Sequence, residues 1–411
     1  MSTRTIESHV DSPYSWFRLA VAVTVATIGG VGLWSIVVAL PAVQAEFGTA
    51  RGGASLPYAM TMIGLVFGSI AMGRLSDRLG IVLPIIMGAV ALGLGYIAAS
   101  MAGSLTGFAV TYGLVIGLVG SAAMFGPLIA DTSLWFYRRR GLAIALCASG
   151  NYIAGTVWPP IIEHLISTVG WRQTHVIIGV FCVATLIPLA FVLRRRPPRH
   201  QTAAEIAAGG DSMRNLGLKP NMTQALIVIA GLSCCVAMSM PQVHIVAYCV
   251  DLGYGPARGA EMLSLMLAGG VVSRLASGWI LDRIGGLPTL LLGSLGQALA
   301  LALYLPFDGL VSLYVISAVF GLVQGGIVPS YPFIIRELFP AKEAGFRISL
   351  ALSATLAGMA LGGWMSGAIF DLTGSYRAAL LNGIGWNVVN MAIAFWLLRR
   401  WRARSVAVAP A

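Results

Sequence analysis

Arg274 is the residue of this 411-residue chain whose setting most calls for a chemical explanation. It sits inside the apolar segment Gly259 to Leu281, eight residues before Asp282. At the rise of an α-helix, that spacing puts it about 12 Å from the nearer helix end. An arginine at such depth costs about 2.5 to 3.5 kcal/mol even on a lenient membrane-insertion scale, so something must offset it. Leu267, Gly270, Arg274 and Ser277 or Gly278 share a helical face, and the small residues leave space beside the guanidinium. That planar fork suits a carboxylate, which it grips through two parallel hydrogen bonds. The alternative is a structural arginine paired to backbone carbonyls. A second polar face is formed by Met240, His244, Tyr248 and Asp251. Imidazole changes charge near neutral pH, which makes His244 the candidate proton carrier, the alternative being a pore-lining or packing residue.

Other chemistries find no footing. Cys147, Cys182, Cys234, Cys235 and Cys249 all lie in apolar runs without CxxC spacing, so neither a metal nor a disulfide is expected. There is no His/Asp/Glu ligand cluster, phosphate loop or nucleophile triad, and an enzyme, a cofactor or a membrane sensor is not expected. Hydrophobic residues make up 57% and charged residues 10%, with mean hydropathy +0.84. Soluble domains carry about 25% charged residues. Such a chain belongs in a lipid bilayer. The net charge of +11, from 26 Lys and Arg against 15 Asp and Glu, falls in short knots between apolar runs. A nucleic-acid binder would instead spread its charge along one face, so no nucleic-acid partner is expected.

The elements that carry these residues follow from span length, about 20 mostly apolar residues per helix. The first six spans are Phe17 to Ala45, Gly53 to Met72, Val82 to Met101, Thr106 to Ala130, Gly141 to Ile162 and Arg172 to Leu193. The second six are Met222 to Val250, Gly259 to Leu281, Leu287 to Leu305, Leu310 to Ile335, Ile348 to Phe370 and Tyr376 to Leu398. The expected organisation is an all-α membrane protein: an N-terminal tail (1–16), a six-helix half (17–193), a polar linker (194–221), a second six-helix half (222–398) and a C-terminal tail (399–411). With the tails and linker inside, 21 basic residues fall on the cytoplasmic side, and only Arg51, Arg172, Arg258 and Arg377 fall outside. The positive-inside rule therefore places both termini in the cytoplasm.

An internal repeat supports the two halves. Gly73-Arg-Leu-Ser-Asp77-Arg78-Leu-Gly80 follows span two, and Gly278-Trp-Ile-Leu-Asp282-Arg283-Ile-Gly285 follows span eight, 205 residues later. The pattern G-x-x-x-D-R-x-G resembles the signature of the major facilitator superfamily, although Ile81-Val82 stand where that signature usually continues with a basic pair. The run Trp135-Phe-Tyr-Arg138-Arg139-Arg140-Gly-Leu142-Ala143, leading to Gly150, resembles a motif of the monocarboxylate transporter branch, with Ala145 in place of a glycine.

The resemblance implies a major facilitator fold of two pseudo-symmetric halves working by alternating access. It implies that Asp77 with Arg78, and Asp282 with Arg283, latch the cytoplasmic gate next to Gly73, with Asp131 and Arg139 as partners of the first latch. It places the substrate carboxylate on Arg274, and Trp34, Tyr112, Tyr248, Gln324 and Tyr331 on spans lining the cavity, with Asn151 and Tyr152 of span five facing the same space. Gly270 stands where several relatives carry a proton-binding Asp, which leaves His244 as the candidate. Gly325-Gly326, Pro329 and Pro332 are expected to interrupt span ten as a hinge. The expected function is transport of a small organic anion such as lactate or pyruvate across the cell inner membrane, with a proton as coupling ion and no obligate protein partner. The alternatives are a carrier for a larger vitamin-like or drug-like aromatic compound and an organic-anion exchanger.

Overall fold

The computed structural model describes residues 11–136, 139–195 and 216–407, and every regular element among them is helical. Eleven continuous segments are long and apolar enough to cross a membrane. One of them, Leu142–Val192, has 51 residues. It would extend roughly 75 Å as a single helix, against a hydrocarbon core of about 30 Å. Gly170 interrupts it at φ 78° and ψ 159°, a conformation open to glycine. The chain reverses there. Arg18, near the start of the first helix, bonds both Asp131 and the Leu193 carbonyl beyond the far end of the segment, whereas Trp171 and Arg172 hold Glu46 at the other end of the first helix. The segment is two spans, and the described residues form twelve.

In chain order these are α1 (Pro13–Phe47), α2 (Arg51–Ser76), α3 (Val82–Ser100), α4 (Leu105–Ser133), α5 (142–169), α6 (171–192), α7 (Pro220–Asp251), α8 (Pro256–Ile284), α9 (Gly286–Leu303), α10 (Leu310–Leu338), α11 (Gly345–Thr373) and α12 (Tyr376–Ala403). Pro13, Pro220 and Pro256 open helices, where the missing N–H costs nothing. The two octapeptides end alike, with Gly80 at φ 85°, ψ 170° and Gly285 at φ 85°, ψ 174°. A sequence repeat has become a conformational repeat. α4 is wound in π-helical turns over Thr111–Ser121, and α10 breaks between Gln324 and Ile327 at the glycine pair.

The halves α1–α6 and α7–α12 meet along α5 and α8, where Ser264 bonds the Thr156 carbonyl and Arg274 bonds the Ala148 carbonyl. They also meet at one end of α2 and α11, where a Cβ on Gly367 would stand 2.9 Å from the Arg51 backbone. At the other end, which carries the linker, a Cβ on Gly73 or Gly345 would meet nothing. A cavity of about 710 Å³ lies at that end between α7 and α11, bordered by Gln224, Val228, Glu343, Phe346, Arg347 and Leu350. Among the described residues, α2 and α11 thus meet at the face opposite the linker and stand apart at the linker face.

Candidate functional site

Arg274 projects from α8 toward α5 in the middle of the bundle. Its Nη1 donates to the Ala148 carbonyl at 2.9 Å, and its Cζ sits 4.2 Å over the Tyr152 ring. Its Nε–H is buried without a partner, and no carboxylate among the described residues pairs with it. Gly270, one turn earlier, makes the stacking possible, since a Cβ there would run into the Tyr152 ring. Gln324 Nε2 lies 3.7 Å from that same Cβ position. Fully buried at the break in α10, Gln324 accepts a 2.6 Å bond from Gln242 Nε2 while its own Nε2 has no partner.

Tyr58 of α2 is a further buried polar residue at the interface between the halves, and the sequence reading missed it. Its ring faces Gly363 of α11, its hydroxyl is buried and unpartnered, and Tyr152 is among its electrostatic neighbours. A buried polar group left unpaired costs about 1–3 kcal/mol. Arg274 Nε–H, the Gln324 amide and the Tyr58 hydroxyl are three of the ten such groups among the described residues. All three can donate a hydrogen bond. The only signal for Tyr58 in the sequence was a lone tyrosine in an apolar span.

The other expected residues are placed as follows. Trp34 is buried, and its Nε1 donates to the Asn151 carbonyl at 3.0 Å, tying α1 to α5. The Asn151 side chain points toward Gly30 of α1. Tyr112 is fully buried inside the N-terminal half, where its hydroxyl meets His175 Nε2 at 2.6 Å and Ser35 at 3.2 Å; Ser35 also meets Tyr96 at 2.7 Å. Tyr331 is fully buried inside the other half, bonded to Asn390, which donates to Ser294. These two tyrosines serve networks within their halves, not the space at Arg274. A period of 3.6 tells which residues share a face and leaves open which neighbour that face meets.

His244 is likewise fully buried, away from Arg274 and at the face opposite the linker. Its Nε2 donates to the Gly363 carbonyl at 2.7 Å, and its Nδ1 lies 3.2 Å from the Tyr376 hydroxyl. Half-buried Tyr248 packs edge-on against Tyr376 at 5.3 Å between ring centroids. Tyr376 in turn accepts a 2.7 Å bond from Arg51 Nη1. Arg51 reaches across from the N-terminal half and pairs with Asp251 through both terminal nitrogens, at 3.1 and 3.0 Å. Asp371 of α11 accepts the backbone N–H groups of Arg51 and Gly52, both at 2.7 Å, capping the N-terminus of a helix in the other half. Sequence reasoning took Arg51 for a loop residue, because partners 200 and 320 positions away leave no local trace.

At the linker face, Arg78, Arg139 and Asp282 are exposed, and Gly73 borders open space. The Asp77 side chain lies outside the described residues. Arg283 stacks on Trp279 of its own helix at 3.8 Å, and Arg139 sits 5.9 Å from the Trp16 ring. Asp131 is not joined to Arg139: it pairs with Arg18 at 2.8 Å, and Arg18 also lies 4.6 Å from the Trp135 ring. Arg18 is buried beside Asp131 and donates to it through both Nε and Nη2, whereas Arg139 is exposed.

Residues 22–331 match the family model described as Major Facilitator Superfamily. Monocarboxylate transporter 13 of Rattus norvegicus is 29% identical over 342 residues, covering 80% of this chain and 75% of the relative. Monocarboxylate transporter 11 of Mus musculus is 27% identical, covering 90% and 84%. Among solved structures, the nucleoside transporter NupG superposes with a TM-score of 0.72 at 14% identity, covering 93% of this chain and 99% of that one. That likeness concerns the fold. A twelve-span bundle of two repeated halves, a sequence match over most of its length and transporters as relatives lead to one conclusion: the chain belongs to the major facilitator superfamily and is a multi-pass membrane transporter, not an enzyme.

Proposed function

We propose that this protein is a secondary active carrier for a small monocarboxylate such as lactate or pyruvate, working by alternating access with proton symport. The observation that carries the reading is Arg274, a guanidinium deep in an apolar bundle with an unused donor and no carboxylate among the described residues to balance it. An anionic substrate supplies that balance. Hydrogen bonds to a charged group are worth about 1.5–3 kcal/mol each, comparable to the cost of placing the arginine there. Gln324 and Tyr58 supply the remaining donors, and Tyr152 holds the guanidinium in position. The names of the mammalian relatives point the same way.

An anion entering against an inside-negative potential of ~100 mV loses about 2.3 kcal/mol per charge, and a proton moving with it cancels the loss. His244 is the proton site in this reading. The excess of basic residues at the linker face orients that face, with both termini, toward the cytoplasm of a cell inner membrane. The face opposite the linker is then external, and Asp77, Arg78, Asp282 and Arg283 latch the internal face once it closes. The rings of Tyr58 and Tyr152 beside the site favour, as a second reading, a larger aromatic carboxylate.

The test is uptake of labelled lactate and pyruvate into proteoliposomes, with and without an inward proton gradient. Gradient-driven uptake that Arg274→Gln abolishes supports the reading. Absence of uptake by folded wild type removes both acids and moves the search to aromatic carboxylates.

A further inference from the structure

We infer that Arg51 and a proton compete for one anionic pocket at the outer gate, so that closing the gate strips His244 of its proton. The inference rests on the orientation proposed above.

The hydrogen-bond partners in the closed gate suit a neutral His244. A carbonyl has no proton to give, so Nε2 must carry one to Gly363 at 2.7 Å. Arg51 Nη1 is only a donor, so the Tyr376 oxygen accepts from it at 2.7 Å. The Tyr376 proton is then free to go to His244 Nδ1 at 3.2 Å. The chain runs in one direction, Arg51 to Tyr376 to His244 to Gly363, and it leaves Nδ1 as an acceptor. His244 is neutral in this state.

The charges around it say what happens when the gate opens. The groups facing His244 and its partner Tyr376 are Arg51 from α2, Asp251 and Tyr248 from α7, Asp371 from α11 and Tyr304 from α9, with Arg377 next along α12. Asp251, Asp371, His244 and Tyr376 all belong to the C-terminal half, and Arg51 alone comes from the other. Opening the outer face withdraws Arg51, which leaves Asp251 without its ion-pair partner and Asp371 without the two N–H groups it caps, Arg377 being the cation of the same half that stays nearby. Tyr376 loses its donor at the same moment, and its oxygen becomes free to accept from Nδ1. A proton on His244 then replaces the missing charge. On closure Arg51 returns, Tyr376 again points its hydrogen at Nδ1, and the His244 proton is released to the outer solvent as the mouth shuts. Because binding linkage is reciprocal, external acid favours the outward-open state.

The experiment uses the full chain in nanodiscs, in a buffer free of carboxylates. Spin labels are placed at Ala45→Cys and Leu372→Cys, which are exposed at the outer ends of the two halves, while the five native cysteines are buried. Inter-label distances are read from pH 5 to 8. The expected result is a longer-distance population whose ratio to the short one rises with acid, by up to about tenfold per pH unit for one linked proton. His244→Gln keeps an amide donor for Gly363 and an acceptor for Tyr376 but takes no proton, and it should abolish the response. A wild-type ratio that does not change with pH overturns the inference, as does an unchanged response in H244Q. If H244Q does not fold, Tyr376→Phe carries the test: it cuts the link between His244 and Arg51 and must weaken the response, and an unaltered one overturns the inference. The readout involves no substrate, so a carrier that moves no monocarboxylate but gates with pH separates this inference from the substrate reading.

Discussion

Arg274→Gln should separate a functional arginine from a structural one, because the two predict opposite effects on the empty protein. Among the described residues Arg274 bonds the Ala148 carbonyl and contacts the Tyr152 ring. The first contributes about 1.5–3 kcal/mol and the second about 0.5–2 kcal/mol. Against them stands an insertion cost of about 2.5–3.5 kcal/mol, so the net contribution is close to zero. The substitution should therefore leave the melting temperature of the empty carrier nearly unchanged. The bound anion, by contrast, loses a charge-assisted bond of about 1.5–3 kcal/mol, which is roughly a tenfold to hundredfold loss of affinity. Thermal shift in detergent, with and without lactate, reads both quantities in one titration. Wild type should gain stability with ligand, whereas R274Q should start from the same baseline and gain none at the same concentration. A large fall in the baseline with ligand binding intact would refute the reasoning and make Arg274 a structural residue.

Tyr58→Phe removes an unpartnered hydroxyl, so it should cost no stability while raising KM several-fold in proteoliposome uptake. Gly270→Ala drives a methyl into the Tyr152 ring beneath Arg274, and affinity should fall about tenfold with the fold retained, as read by the same thermal shift. Tyr112→Phe leaves His175 Nε2 and Ser35 short of a partner, so stability should fall by about 1–3 kcal/mol while KM stays at the wild-type value. Gly367→Val places side-chain atoms against the Arg51 backbone, and the outer face should stay open, measured as a longer distance between spin labels at Ala45→Cys and Leu372→Cys.

Much of this protein is written locally along the chain. Apolar run length specified twelve spans, and where the structure fuses two of them into Leu142–Val192, one glycine at φ 78° restores the count. The repeat was legible because each octapeptide ends in a glycine that must take a conformation other residues avoid. Arg274 stood out because a charge in an apolar span is costly wherever it points.

What the sequence could not show is which surfaces meet. Tyr112 and Tyr331 looked like cavity residues and turned out to hold their own halves together. Asp131 met Arg18, 113 residues away, instead of a neighbour in the basic triplet. Tyr58 and Arg51 gained their meaning from partners on other helices, Gly363 and Tyr152 for the one, Asp251, Asp371 and Tyr376 for the other. Hydropathy and turn chemistry are properties of short segments, and a segment carries them wherever it goes. Pairing across a bundle depends on the rotation and depth of two helices at once, and those are decided only when the whole chain packs.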